Sequence, residues 1–285
     1  MSELIDLCYA RLGCPDLEQM VDFGTRLLGL ELYERGDDWV FLRADDRSHN
    51  LCLFQGELAD ETVGFEVDSE ARLQKLEESA RDRGCEVLIG SDAEAAQRRV
   101  NAFVTIVDPS GTRIELAVGP QRTGRRYFPS RDAGITEFGH FGLHASQPEA
   151  SLQFWTELLG ARLSDAIGPA ALLRIDDVHH KVALFPSPGV GIQHINFQVA
   201  SVDDIMRSWY FLQAEGVPIV FGPGRHPTST AIFLYFRGPD GRVYEYSCGV
   251  KVIPDDEAHT PRYFESKPSS FCMWGAKPQI AEFVE

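Results

Sequence analysis

Apolar residues recur along this chain in two patterns. In some segments every second residue is apolar, as at Phe141, Leu143 and Ala145, which is typical of a strand with one buried face. Other segments carry apolar residues at helical spacing and follow Asp, Ser or Pro, which favour helix starts. The sequence therefore predicts an α+β fold in which strands accompany helices over 15–28, 69–83, 147–159 and 201–215.

The second half of the chain repeats the first. Setting Gly29 on Gly160 gives an offset of 131 residues, which also places Tyr9 on His140. Within each half a strand–helix–strands unit occurs twice, and a Pro-x-Gly turn precedes the last strand of each half. We therefore expect four βαβββ modules paired into two domains, each a cupped mixed sheet. The expected domains are residues 1–125 and 126–285, joined through the stretch 119–138, which is rich in Gly, Pro and Arg.

Charge and hydropathy narrow the classes of function. The formal net charge of −16 would repel nucleic acid and an anionic membrane surface, so neither is an expected partner. No apolar run approaches the roughly 20 residues of a transmembrane helix, and acids occupy the N-terminal positions where a signal peptide needs a basic start. The six cysteines form no Cys-x-x-Cys pair, which favours buried free thiols. We expect a cytoplasmic protein.

Histidine is distributed unevenly over the repeat. One of the eight histidines, His49, lies before the joining stretch, and the other seven lie after it. Because the two halves match in pattern but not in chemistry, we expect that one half carries the active chemistry and the other supports it. The seven later histidines are His140, His144, His179, His180, His194, His226 and His259.

Three residues of the second half occupy matched strand positions. His140 lies in the first strand of one module, His194 at the start of the first strand of the next, and Glu245 in that module's last strand. If the modules pair by their pseudo-symmetry, these side chains face one another across the sheet. Two neutral imidazoles and one carboxylate suit Fe(II) and leave coordination positions open, and Mn(II) fits the same set. The equivalents in the first half are Tyr9, Thr62 and Glu115, so that half is expected to bind no metal.

Each of these residues also has an ordinary structural interpretation. A single histidine on a strand is more often a core or surface residue than a ligand. The repeat keeps Glu115 without any histidine partner, which shows that this glutamate can be structural. The metal hypothesis therefore depends on all three residues together. Among the remaining histidines, we expect a structural role for His144, a side chain pointing away from His180 for His179, and exposed positions for His49 and His259.

The end of the second half carries a combined motif. It runs from Gly224-Arg225-His226 through Phe233 to Phe236 and then Gly238 to Tyr246. This motif resembles the signature of the type I extradiol dioxygenases, members of the vicinal oxygen chelate superfamily that include 2,3-dihydroxybiphenyl and catechol 2,3-dioxygenases. The resemblance covers essentially the whole chain. It implies glyoxalase-like paired domains, a catecholic substrate, incorporation of both atoms of O2 and a homo-oligomer.

The resemblance also implies roles for individual residues. His140, His194 and Glu245 match the family's iron ligands. His180 matches the acid–base histidine, and His226 and Tyr235 match residues that hydrogen-bond the substrate oxygens. Where some members carry an asparagine that contacts substrate, this chain has Thr228.

Two other classes of function remain open from the sequence. Paired modules of this kind also serve metal-dependent glyoxalase-like isomerases and lyases, and some relatives only bind small molecules. An isomerase would consume no O2 with a catechol, and a binding protein would not need the metal. The particular catechol is not determined by the sequence, because the apolar run Val182 to Phe185 fits a substrate wall and a core strand equally well.

Overall fold

The computed structural model describes residues 2–254 and 258–283. Each half of the chain folds around its own mixed sheet, and the apolar faces of the helices pack on these sheets. Within the described residues, no helix is both long enough and apolar enough to cross a membrane.

The first sheet has eight strands in the order β2-β3-β4-β1-β5-β8-β7-β6. Strands β1 and β5 run antiparallel at its centre, and each is flanked by a parallel neighbour, β4 or β8. The strands are β1 (Asp6–Cys14), β2 (Glu31–Arg35), β3 (Trp39–Arg43), β4 (Leu51–Gln55), β5 (Glu61–Val67), β6 (Val87–Ile89), β7 (Ala102–Val107) and β8 (Arg113–Val118).

The second sheet repeats this order and adds one edge strand. Its order is β14-β15-β16-β13-β9-β12-β11-β10-β17, which is the first sheet read from its other edge with β17 appended. The expected repeat of paired modules is thereby confirmed. The strands are β9 (Ile135–Ala145), β10 (Arg162–Ile167), β11 (Ala170–Arg174), β12 (Val182–Pro186), β13 (Ile192–Val199), β14 (Ile219–Arg225), β15 (Ile232–Arg237), β16 (Val243–Cys248) and β17 (Arg262–Phe264).

All four predicted helices are present. Side chains of Asp16, Ser69 and Ser201 accept hydrogen bonds from backbone N–H groups in the first turns of three of them, which satisfies donors that a helix start leaves free. Short helices at 92–97 and in the C-terminal tail were not predicted. The helices are α1 (Leu17–Asp22), α2 (Glu70–Asp82), α3 (Asp92–Gln97), α4 (Pro148–Gln153), α5 (Val202–Ala214) and α6 (Pro268–Phe271), with π-helical turns at Phe23–Leu27 and Phe154–Leu158 and a 3-10 turn at Ala281–Phe283.

The segment between the halves is shorter than predicted. Strand β9 begins at Ile135, so the last residues of the stretch 119–138 belong to the second sheet. Gly134 adopts a positive φ of 76°, a conformation that glycine reaches without strain, and it turns the chain into the strand.

The hydrophobic cores of the two halves are continuous. Phe65 of the first half packs edge-on against Phe141 and Trp155 of the second, with ring centroids 5.8 and 5.3 Å apart. Polar groups are buried at the same junction, where Ser110 and Ser151 lie 2.8 Å apart between their hydroxyl oxygens. The two sheets therefore form one folded body rather than two loosely tethered ones.

Candidate metal centre

The three central strands of the second sheet bring the predicted triple together. Asn196 of β13 pairs with His140 on one side and with Glu245 on the other. His194 lies two residues earlier on β13 and pairs with Gly142. The register of the sheet thus places residues that are distant in sequence next to one another.

The donor atoms of the triple are close enough to bind a single ion. The Nε2 atoms of His140 and His194 are 2.8 Å apart. Glu245 Oε2 lies 3.1 Å from His140 Nε2 and 3.4 Å from His194 Nε2. Among residues 2–254 and 258–283, this is the one group of three such side chains whose donor atoms converge in this way.

Glu245 has the environment of a metal ligand. Its side chain is fully buried, and neither carboxylate oxygen has a hydrogen-bond partner within the described residues. Burial by itself raises the pKa of Glu245, but the adjacent His140 and the other histidine rings hold that pKa well below its usual range. A buried carboxylate whose neighbours are imidazole rings rather than a permanent cation is costly, and a bound cation would reduce the cost, so the donor set fits a divalent metal.

The two imidazoles are available as neutral ligands. Burial lowers the pKa of His140 to about 4, so its ring is neutral near pH 7. The other ring nitrogen of His194 lies against the side-chain oxygen of Gln193, which orients that ring with its Nε2 toward Glu245. Such outer partners typically fix the orientation of ligand histidines.

The other predicted site residues line the same cavity. The ring of His180 lies 4.3 Å from that of His140, measured between centroids. His226 Nε2 lies 3.3 Å from the Tyr235 hydroxyl and 3.7 Å from Glu245 Oε1. Thr228 is buried in the cavity wall. The structure therefore brings every predicted site residue to one place.

The cavity itself is small and largely apolar. Its volume of about 30 Å³ would hold one or two water molecules. Ala183 and Phe185 face the cavity, while Val182 and Leu184 belong to the main core. The run Val182 to Phe185 is therefore a cavity wall through Ala183 and Phe185 and a core strand through Val182 and Leu184. The remaining apolar walls are Ile167, Leu172, Phe271 and Phe283.

The prediction for His179 was wrong. Its Nδ1 lies 3.1 Å from Nδ1 of His180, and its Nε2 lies 2.9 Å from Asp165 Oδ2. The alternation of a strand does not apply here, because residues 179–181 form a bend before β12. Asp165 also accepts hydrogen bonds from Arg262. Burial raises the pKa of Asp165, but His179 and Arg262 outweigh it and lower the pKa to about 2.

His144 and His259 lie outside the cavity. His144 Nδ1 is 2.6 Å from the Ser187 hydroxyl and 3.5 Å from Glu282 Oε1, which agrees with a structural role. His259 was expected to be exposed but is half-buried, with Nε2 2.9 Å from the carbonyl oxygen of Ser164.

In the first half, an arginine neutralises the carboxylate that corresponds to Glu245. Glu115 accepts a hydrogen bond of 2.7 Å from the Tyr9 hydroxyl and two from Arg98, of 2.8 and 2.7 Å. A guanidinium therefore compensates the buried charge there. The side chain at the position of His194 is Thr62, which faces Arg11 across the strands.

The expectation that His49 is exposed was wrong. Its side chain is buried and its ring stacks on Phe41, with centroids 4.0 Å apart. The repeat contains the signal that would have shown this, because the offset of 131 sets Ser48 on His179 and His49 on His180. Within the polar run before His49, Arg47 and Ser48 are buried as well, so polarity there does not indicate exposure.

The fold and the residues gathered at its centre define a class of protein, in which paired βαβββ modules surround a site with two histidines and a carboxylate. The chain belongs to the Glyoxalase/Bleomycin resistance protein/Dioxygenase superfamily, whose sequence model matches residues 7–116 and 137–246.

Curated relatives with similar sequences are named as ring-cleaving enzymes. The iron-dependent extradiol dioxygenase of Rhodococcus jostii strain RHA1 is 27% identical, covering 94% of this chain and 95% of the relative. The biphenyl-2,3-diol 1,2-dioxygenase of Paraburkholderia xenovorans strain LB400 is 28% identical, covering 95% of this chain and 94% of the relative. The resemblance to extradiol dioxygenases stated from the sequence is thereby confirmed.

Solved structures agree with the fold. A halotolerant catechol dioxygenase superimposes with a TM-score of 0.88 at 24% identity, covering 98% of this chain and 96% of the other. A Mn(II)-bound glyoxalase from Novosphingobium aromaticivorans has the same TM-score at 23% identity, covering 100% of this chain and 95% of the other. Because both kinds of enzyme share this architecture, the fold alone does not select the reaction.

Proposed function

We propose that this chain is an extradiol dioxygenase, an oxidoreductase of aromatic compound degradation. It cleaves a catechol-type diol, such as a dihydroxybiphenyl or a substituted catechol, with O2 at the bond next to the two hydroxyls. The observation that carries the proposal is the convergence of the buried Glu245 carboxylate with the imidazoles of His140 and His194, whose Nε2 atoms lie 3.1 and 3.4 Å from Oε2. The relatives named as extradiol dioxygenases along nearly their full lengths support it.

His140, His194 and Glu245 would hold Fe(II), and Mn(II) suits the same donors. When bound, the metal supplies Lewis acidity toward the diol oxygens and open positions that bring diol and O2 together. Three protein ligands leave those positions free. Both atoms of O2 are incorporated into the ring-opened product.

The neighbouring residues manage the protons and orient the substrate. Burial holds the pKa of His180 well below its usual value, so its ring is neutral and able to accept a proton from a substrate hydroxyl. Burial also raises the pKa of Tyr235 well above its usual value, so its hydroxyl stays protonated and can donate a hydrogen bond. His226, beside Tyr235, hydrogen-bonds the substrate oxygen, and Thr228 adds a contact from the wall.

A glyoxalase-like isomerase or lyase is the second candidate. The observation that favours it is the likeness to the Mn(II)-bound glyoxalase, which extends over the whole of this chain. The two reactions differ in a measurable way, because isomerisation consumes no O2.

The test is anaerobic loading with Fe(II), followed by O2 uptake and visible absorbance with 2,3-dihydroxybiphenyl, catechol, 3-methylcatechol and 2,3-dihydroxybenzoate. A yellow ring-opened product formed together with O2 consumption is expected. Loading with Mn(II) in parallel shows which ion sustains the reaction.

A pair of matched variants assigns the site to one half. Glu245→Gln should lose bound metal and O2 uptake, whereas Glu115→Gln, at the equivalent position of the first half, should keep bound metal. Metal binding without O2 uptake for any diol would refute the dioxygenase proposal and favour the isomerase. Retention of metal by Glu245→Gln would refute the ligand assignment.

Two expectations from the sequence, assembly into a homo-oligomer and a cytoplasmic location, stay predictions. Multi-angle light scattering of the purified protein tests the first, and cell fractionation tests the second.

A further inference from the structure

The first half contains a larger cavity than the candidate metal centre. Its volume is about 460 Å³, against about 30 Å³ around His140 and His194. Volumes of a few hundred Å³ are typical of small-molecule sites. We call it the N-terminal cup; it is lined by Arg11, Asp38, Trp39, Phe41, Cys52, Phe54, Ala93, Ala96, Gln97 and Arg99.

The N-terminal cup corresponds to the catalytic cavity through the repeat. The offset of 131 sets Phe41 on Leu172, Cys52 on Ala183 and Phe54 on Phe185. Leu172, Ala183 and Phe185 all line the cavity of the candidate metal centre. The two cavities are therefore equivalent positions in the two copies of the module pair, and the first is the larger although the equivalents of His140 and His194 there are Tyr9 and Thr62.

Arg11 carries a positive charge into this cup and forms no ion pair among the described residues. Glu94, next to the lining residue Ala93, lies within electrostatic range of Arg11, but its side chain is exposed, so solvent screens its charge. Within the described residues, the Arg11 guanidinium contacts the Cys52 sulfur at 3.5 Å and lies 5.3 Å from the centre of the Phe54 ring. Arg99, by contrast, is paired with Glu34 at 2.7 and 2.8 Å. The acid of the lining, Asp38, is exposed, so solvent screens its charge.

A second polar group near the cup is unsatisfied. His49 Nε2 is buried and has no hydrogen-bond partner within the described residues, and its ring stacks on Phe41, which lines the cup. Burial, with Arg11 and Arg99 nearby, lowers the pKa of His49 to about 3. The His49 ring is therefore neutral, and it lies in the positive electrostatic potential of Arg11 and Arg99.

Aromatic rings form the apolar walls. Trp39 and Phe41 lie 4.5 Å apart between ring centroids, tilted by 46°, and Phe54 stands beside Arg11. Flat rings pack favourably against such walls. A planar ligand with one negative charge would satisfy the walls and Arg11 together.

From these features we infer that the N-terminal cup binds an aromatic carboxylate, with its carboxylate on Arg11 and its ring against Trp39 and Phe54. Arg11 offers a planar fork of donors that matches a carboxylate. Glu115 would not repel this anion strongly, because Arg98 already compensates its charge. The inference does not depend on the proposed ring cleavage.

The test uses 2-naphthoate as the probe and its neutral amide as the comparison, with calorimetry and tryptophan fluorescence on the full chain. We expect one saturable site for the acid, with quenching of Trp39. The amide should bind about tenfold more weakly, which corresponds to about 1.4 kcal/mol, because it lacks the negative charge that Arg11 would pair with. Arg11→Gln should weaken the binding of 2-naphthoate by a similar factor. Arg11→Lys should bind it with an affinity between those of Arg11→Gln and the wild type.

Two further variants locate the bound probe. Arg35→Gln removes an exposed arginine paired with Glu18 and should leave the affinity unchanged. Glu245→Gln should also leave it unchanged, because the cup lies in the other half. Absence of saturable binding at millimolar probe would overturn the inference, and so would an affinity for the acid that Arg11→Gln leaves unchanged. Loss of that binding in Glu245→Gln would place the probe at the candidate metal centre instead and would also overturn it.

Discussion

Glu115 and Glu245 show that a buried glutamate at equivalent positions of the two halves can serve two different purposes. Each is almost fully buried at the same place in its sheet. Glu115 is neutralised by Arg98 at 2.7 Å, whereas both oxygens of Glu245 lack a hydrogen-bond partner among the described residues. An ionised carboxylate needs compensation in either half. The chain supplies a guanidinium in one half, and in the other it leaves space for a metal.

His180 provides the sharpest residue-level prediction. His180→Ala should keep bound metal near the wild-type amount, because His140, His194 and Glu245 are unchanged. Turnover of the preferred diol should fall roughly hundredfold or more, the usual scale for loss of an acid–base group. Metal analysis and O2 uptake check the two parts.

His144→Ala is the matched control, since His144 lies outside the cavity against Ser187, and its turnover should stay close to wild type. Unchanged turnover in His180→Ala would remove His180 from the mechanism.

His49 leads to a prediction about pH. Its pKa in the folded chain is about 3, below the roughly 6.5 of an unfolded chain. Between these values the unfolded chain binds more protons, so stability falls as pH decreases from about 6.5 toward 3. Going from pH 7 to 5 should cost about 2 kcal/mol through this residue.

The variant His49→Phe should keep the stacking with Phe41 and remove the pH-dependent contribution of His49 to the free energy of unfolding. Urea unfolding of metal-free wild type and variant at pH 7 and pH 5 measures the difference. Equal losses of stability in the two proteins would show that His49 is protonated in the folded state.

At the scale of elements, the C-terminal tail closes the candidate active site. Phe271 and Phe283 stack with centroids 5.3 Å apart, and Phe283 also contacts Phe185 and Tyr235 at 4.9 and 5.7 Å. A cavity of about 30 Å³ is too small for a two-ring diol, so these side chains must move to admit one.

Phe283→Ala should therefore favour large substrates. The ratio of kcat/KM for 2,3-dihydroxybiphenyl to that for catechol should rise by about tenfold, the scale of a hydrophobic pocket contact. Stability should fall by a few kcal/mol, as is usual when a buried aromatic side chain is truncated.

Trp274→Ala is the control for this variant, because Trp274 lies in the same tail but is exposed. Steady-state kinetics with the two diols gives the ratio. A change in kcat/KM by the same factor for both diols would show that Phe283 does not limit substrate size.

At the scale of the whole molecule, a polar contact joins the halves. Glu61 of the first half accepts a hydrogen bond of 3.1 Å from Arg242 Nε and one of 2.6 Å from the backbone N–H of Ile192. Arg242 also donates to the carbonyl oxygens of Gly13 and Leu58. Both side chains are largely buried. Arg242 is also paired with Asp240 at 2.6 Å, so loss of Glu61 removes one of its two anionic partners and the acceptor of the Ile192 N–H group.

Glu61→Ala should destabilise the chain by about 2 kcal/mol, because buried hydrogen bonds to a charged group are lost while Arg242 keeps its ion pair with Asp240. Glu34→Ala, which removes a more exposed partner of Arg99, should cost at most about 1 kcal/mol. Calorimetry should show a single transition that shifts as a unit, because the core is continuous across the halves. Two transitions, of which only one shifts, would contradict this view.

The sequence by itself determined the modules and their duplication, and it named the candidate site residues that the structure brings together. Strand alternation and helical spacing depend on local geometry, and the offset between Gly29 and Gly160 exposes the repeat directly. The uneven distribution of histidine over the repeat then singles out His140 and His194, and the matched strand position adds Glu245. The expectations for His49 and His179 failed because burial and side-chain direction in bends depend on neighbours that are remote in the chain.

Only the tertiary structure decided what surrounds those residues. The registers of β9, β13 and β16 bring the donor atoms of the triple within 3.4 Å of one another, a distance that no sequence spacing determines. The tail reaches the cavity from the far end of the chain, and Arg98, which follows a helix that was not predicted, meets Glu115. Such contacts arise from packing across the whole molecule, and a local pattern of residues does not contain them.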